Sequence, residues 1–168
     1  DSGSRTASPE KLTTLEKVGV LLTGVRVPRP ANHHTPADVG LDFKTHSFPT
    51  ADGLTLTAWH AAADDPHGVC LFFHGYAAAK SSLLNEAAEF HRWGYDVFLV
   101  DLRGSGDSEG EVTTIGYREA DDVAAAVDYV RANLSQKPMI LYGRSMGSAA
   151  VLRAVAENGV DPAAVIVE

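Results

Sequence analysis

From Val69 onward, short apolar runs alternate with segments long enough to be helices, and this alternation limits the accessible folds more than any other feature. The runs Val69–Phe73, Val97–Val100, Met139–Tyr142 and Ala164–Val167 are separated by predicted helices over Ser81–Arg92, Tyr117–Asn133 and Met146–Asn158. Strands that are apolar throughout must be buried on both faces. Helices inserted between them supply that cover, so the pattern predicts an α/β fold with a mostly parallel sheet and helices on both faces. Val123, Val127 and Val130 share one side of the middle helix, with Asp121 and Asp122 near its positive end. Gly159 is the expected stop of the last helix.

Upstream of this region the pattern differs. Phe43–Phe48 and Leu54–His60 alternate apolar and polar residues around Ala51-Asp52-Gly53, which predicts an antiparallel hairpin ahead of the parallel strands. Ser8-Pro9-Glu10 reads as a helix start, and Leu12, Leu15, Val18 and Leu22 recur at helical spacing behind it. That stripe is expected to pack on the body of the domain, with a membrane surface as the alternative. Residues 27–40, with three prolines and Asn32-His33-His34, read as an extended connector. The expected organisation is therefore an N-terminal helix and connector over 1–40 and one α/β domain over 41–168.

A formal charge of −8 with no basic stripe excludes nucleic acid as a default partner. The single cysteine, Cys70, lies inside an apolar run and reads as a buried strand thiol, so no intrachain disulfide can form. Histidines 33, 34, 46, 60, 67 and 91 lack the spacing of a metal helix, and neither metal nor cofactor is expected. No run approaches transmembrane length. The chain begins at Asp1, which leaves open a leader removed upstream and, with it, a cell-envelope or secreted location.

Three short motifs carry the chemistry. In Gly143-Arg144-Ser145-Met146-Gly147 a serine sits between two glycines where a predicted strand meets a predicted helix. A tight turn there lifts the hydroxyl above the sheet, bulkier flanking residues would clash, and the helix N-terminus points N–H groups at any anion that forms. Ser145 is thus the candidate nucleophile. Phe73-His74-Gly75-Tyr76-Ala77 ends the first parallel strand in a tight loop that can aim a backbone N–H at the same place. Met146 N–H, together with that of Tyr76 or Ala77, would form an oxyanion hole, each donor worth about 3–4 kcal/mol in the barrier. His74 is expected to brace the loop rather than to act as base. Asp101-Leu102-Arg103-Gly104-Ser105-Gly106-Asp107-Ser108 superficially suggests a dinucleotide loop, but no helix opens at its glycines, so a structural turn tied down by Arg103 and the acids is expected. Trp59 and Trp93 are assigned to core or interface packing, and Ala61–Asp65 to a loop.

Together, His74-Gly75, Asp101-Leu102-Arg103-Gly104-x-Gly106-x-Ser108 and Gly143-x-Ser145-x-Gly147 resemble the α/β-hydrolase superfamily in order and spacing. Residues 41–168 are similar to bacterial serine hydrolases related to the human ABHD13 and ABHD17 type, or to serine aminopeptidase-like hydrolases. The resemblance implies cleavage of a carboxylic ester or related small acyl substrate through an acyl-enzyme at Ser145, with the Met146 and Tyr76 amides as oxyanion donors. It also implies a triad acid and histidine later in the chain than the nucleophile, and none follows Ser145 at a fitting position. They are expected beyond Glu168, which makes the sequence the N-terminal part of such a domain, inactive or very slow alone. A companion segment or chain is expected to complete the sheet. The alternative is a non-catalytic binding protein on the same scaffold.

Overall fold

A computed structural model describes residues 10, 13–15 and 28–168. The helix expected from Ser8, with most of its apolar stripe, lies outside them. The strands are β1 (Lys44–Pro49), β2 (Thr55–Ala61), β3 (Val69–Phe73), β4 (Asp96–Val100), β5 (Met139–Gly143) and β6 (Ala164–Val167), and the helices are α1 (Leu84–Arg92), α2 (Glu119–Asn133) and α3 (Met146–Glu157). They form one sheet in the order β1-β2-β4-β3-β5-β6. β4, β3, β5 and β6 run parallel, and β2 pairs antiparallel with both β1 and β4. This is the mostly parallel sheet with a leading antiparallel hairpin that the sequence predicts.

Every residue of β3 and of β4 is buried. Alternate side chains go to opposite faces, as strand geometry requires. Leu71, Phe73, Phe98 and Val100 join Val123, Val127 and Val130 of α2 and Val151 of α3 in one core. Cys70, Phe72, Val97 and Leu99 join Leu84 and Ala87 of α1 in the other, together with Trp59. Burial pushes the Cys70 thiol well above its ordinary range, which leaves it an inert packing group.

The hairpin departs from the expected alternation. β1 is an edge strand and largely exposed, whereas β2, paired on both sides, is buried along most of its length. Ala61 ends β2 rather than starting a loop. The first predicted helix begins in a 3₁₀ turn, Lys80–Leu83, and becomes α-helical only at Leu84. The middle helix starts at Glu119 rather than Tyr117. The connector is interrupted by a 3₁₀ turn over Pro36–Val39. Trp93 is 56% exposed, resting against Phe90 rather than in the core. Among the described residues, no helix is long and apolar enough to cross a membrane.

Candidate active site

The bend between β5 and α3 is built by close backbone approach. A Cβ added to Gly147 would stand 2.1 Å from the Phe73 carbonyl oxygen, and one added to Gly143 would stand 2.6 Å from that of Gly147. Any side chain at either position would push α3 off the end of β3. Ser145 occupies the turn with φ 52° and ψ −113°, a left-handed conformation that costs a serine about 1–3 kcal/mol. Its N–H donates to the Glu168 carbonyl at 2.7 Å, and its own carbonyl accepts the Ser148 N–H at 2.9 Å. The side chain is exposed. Among the described residues no protein group hydrogen-bonds its hydroxyl.

Ser148, one turn later, differs: its hydroxyl donates to the Gly143 carbonyl at 2.7 Å. Arg144, on the other side of Ser145, is anchored by Glu86 at 2.6 Å and Glu168 at 2.8 Å. The neighbours of Ser145 are therefore fixed, while its own hydroxyl has no protein partner among the described residues.

The loop after β3 faces this bend. A Cβ on Gly75 would lie 3.4 Å from Ser145 Cβ, so the main chain of the loop passes directly beside the serine. The Arg144 N–H donates to the Phe73 carbonyl at 3.0 Å and ties the two together. The N–H groups of Tyr76 and Met146 have no protein acceptor among the described residues. The three residues singled out in the sequence, Ser145, Met146 and Tyr76, thus lie on two adjoining turns at the carboxyl end of the sheet.

His74 is fully buried, with Nδ1 2.8 Å from the Gly75 carbonyl and Nε2 accepting the Leu102 N–H at 3.1 Å. A ring that donates through Nδ1 and accepts through Nε2 is neutral. Burial lowers its pKa and favours that form. Both nitrogens are engaged, so His74 braces the loops after β3 and β4 and is not a base for Ser145.

The loop after β4 is a structural turn, as expected, built around charges whose partners the sequence did not reveal. Lys80 Nζ, with no exposed side-chain surface, pairs with Asp101 and lies 2.8 Å from Asp107. Asp101 also receives the Lys80 N–H at 2.8 Å, the Asp107 N–H at 2.9 Å and the Asn32 amide at 2.8 Å. Its carboxylate fills the position a Gly106 side chain would need, 2.0 Å from the added Cβ. Arg103 binds Asp122 through Nη2 at 2.7 Å and Asp52, in the hairpin turn, through Nη1 at 2.8 Å. Burial raises the Asp122 carboxyl to about 6, with the Arg103 guanidinium pulling the other way.

Sequence reasoning missed Lys80, Asn32 and Glu119. Lys80 carries no local signal, because its partners lie in a different loop. Glu119 has one: a carboxylate three residues after a glycine can reach back to that N–H, and Glu119 accepts from Gly116 at 2.8 Å. The six remaining histidines lie elsewhere, His46 against Tyr129 and His60 against Asp96. Among the described residues no His, Cys, Asp and Glu group could hold a metal ion.

Comparison with known proteins agrees with this architecture. The family described as serine aminopeptidase, S33, matches residues 64–168. Lysophosphatidylserine lipase ABHD12 from Danio rerio is 27% identical over 177 residues, covering 89% of this chain and 45% of that protein. The esterase Pf2001 of Pyrococcus furiosus superposes with a TM-score of 0.73 at 27% identity, covering 79% of this chain and 53% of the esterase. The α/β hydrolase GrgF from Penicillium sp. sh18 superposes with a TM-score of 0.68 at 29% identity, covering 76% and 45%. The chain spans about half the length of the relatives it matches.

Proposed function

The chain belongs to the serine aminopeptidase S33 family and carries part of an α/β-hydrolase domain, and from that premise we propose that it supplies the nucleophile of a serine hydrolase acting on a carboxylic ester or related acyl bond. One observation carries this reading: an exposed serine hydroxyl on a positive-φ turn at a helix N-terminus, beside a loop whose Tyr76 amide, like that hydroxyl, has no protein partner among the described residues. Ser145 Oγ attacks the acyl carbon. The carbonyl electron pair moves onto oxygen, and the Met146 and Tyr76 N–H groups receive the charge. Collapse of the adduct expels the alcohol and leaves an acyl-serine, which water then hydrolyses.

The proton from Ser145 goes to a histidine oriented by an acid, and we place both in the remainder of the full-length protein. His74, already engaged at both nitrogens, cannot serve. The same remainder is proposed to continue the sheet beyond β6, where Ile166 and Val167 are exposed. Residues 1–168 alone are accordingly proposed to turn over esters very slowly. The lipase similarity makes lysophospholipid-type esters sensible first substrates beside simple aryl esters.

The test is labelling of the full-length protein with a fluorophosphonate, followed by peptide mapping. Modification at Ser145 that vanishes in Ser145→Ala is expected. A folded, full-length protein that stays unlabelled would remove the mechanism.

A further inference from the structure

The segment joining β4 to α2 contains Ile115 at φ 56°. A β-branched residue in the left-handed region is a genuine outlier, and such outliers gather where a fold positions something for function. Ile115 is also 57% exposed, and Val112, three residues earlier, is 61% exposed, so neither contributes to a core.

The strained conformation is held from beneath by a buried carboxylate. Glu119 has no exposed surface and accepts from Thr113 Oγ1 at 2.8 Å, Thr114 N at 2.8 Å, Thr114 Oγ1 at 2.7 Å and Gly116 N at 2.8 Å. These four bonds bracket Ile115 on both sides. The segment is then pinned to the first turns of α3. Thr113 Oγ1 lies 3.1 Å from Met146 Sδ. A Cβ on Gly116 would stand 2.7 Å from Ala149 Cβ. The Arg153 guanidinium covers the Tyr117 ring at 3.9 Å. Met146 is the residue after Ser145, and the Ala149 N–H donates to the Ser145 carbonyl at 3.2 Å. Ile115 is therefore carried between Thr113, which touches the residue after the candidate nucleophile, and Gly116, which packs on α3 one turn further along.

We propose that Ile115, presented by the Glu119-clasped segment, is a specificity-determining residue that contacts the apolar acyl portion of a substrate bound at Ser145. The inference rests on the reading of Ser145 as nucleophile. An exposed aliphatic side chain on a segment anchored to the helix that follows a reacting serine gains contact with added methylenes of a bound acyl chain that extends over it, whereas the reacting carbonyl is handled elsewhere. Ile115 thus sets chain-length preference rather than chemistry, and Glu119 is a positioning residue acting through it.

The experiment uses the full-length protein and compares kcat/KM for p-nitrophenyl octanoate and p-nitrophenyl acetate. In Ile115→Ala the octanoate-to-acetate ratio is expected to fall about tenfold, the scale of lost methylene contacts in a binding site. Ile115→Val, which keeps the branched shape, is expected to lower it about threefold and carries the test if the alanine variant does not fold. Glu119→Gln should shift the ratio in the same direction by releasing the segment. An unchanged ratio, or equal losses on both esters, would overturn the proposal and assign Ile115 to packing. Absence of fluorophosphonate labelling at Ser145 in the unaltered protein would instead overturn the parent reading.

Discussion

Two glycine-bearing loops leave the carboxyl ends of β4 and β5, the strands on either side of β3, and each contains a serine. In the loop after β4, Ser108 is buried, its hydroxyl donating to the Asp101 carbonyl at 2.6 Å and accepting the Thr57 N–H at 2.8 Å. In the loop after β5, Ser145 is exposed, strained, and without a protein partner at its hydroxyl among the described residues. The first loop consumes its polar groups in holding the connector, the hairpin turn and α2 together. The second leaves one polar group unspent at the end of a rigid frame. Glycine-and-serine composition does not separate these roles, but the hydrogen-bond account of each hydroxyl does.

Substitutions in the two loops should therefore fail differently. The largest effect on stability is expected from Asp101→Ala, which removes the buried partner of Lys80 and leaves its ammonium only the exposed Asp107 carboxylate. Urea unfolding should show a loss of about 3–5 kcal/mol, and a loss below about 1 kcal/mol would mean that Lys80 reaches solvent. Next is Gly147→Ala, whose methyl collides with the Phe73 carbonyl. Overpacking of this kind costs about 1–3 kcal/mol, and labelling of Ser145 should be lost even where the protein still folds. Labelling at the normal rate would show that the bend relaxes freely.

Glu119→Gln should cost on the order of 1 kcal/mol at neutral pH, with a distinctive pH dependence. Burial works to raise the Glu119 carboxyl, but hydrogen bonds from Thr114 and Thr113 outweigh it and hold the pKa below the ordinary 4.5. A depressed folded-state value means that the stabilisation is complete above 4.5 and is lost as pH falls through the lower value. The stability gap between the unaltered protein and Glu119→Gln should shrink on acidification below that point. A gap that widens there would contradict the assignment. The smallest effect belongs to Ser145→Ala, expected within about 0.5 kcal/mol of the unaltered protein because no bond is lost. The matching buried change, Ser108→Ala, leaves the Thr57 N–H unsatisfied and should cost about 1–3 kcal/mol.

The parts of this molecule that were legible from sequence are those set by local chemistry. Apolar runs placed the strands, Gly159 at φ 69° stops α3 as expected, and the glycines around Ser145 mark a close approach that the backbone imposes. What could not be read depends on partners far apart in the chain. The predicted helix start at Ser81 is preceded by a 3₁₀ turn from Lys80, whose N–H is satisfied by Asp101, twenty-one residues on, a partner that local sequence does not announce. β2 alternates in sequence yet is buried on both faces, because β4 pairs beside it and brings the helix layers with it. Trp93, assigned to core or interface packing, is not in the core: it is exposed and stacks on Phe90, and local sequence does not separate those two fates.

The central claim, that the Ser145 hydroxyl stands where two free amides converge, is tested most directly by a crystal structure of the full-length protein carrying a phosphonate adduct. The account predicts phosphorus bonded to Ser145 Oγ, with a phosphonyl oxygen roughly 2.7–3.1 Å from the amide nitrogens of both Met146 and Tyr76. An adduct on another residue, or an oxygen on Ser145 turned away from those amides, would contradict it.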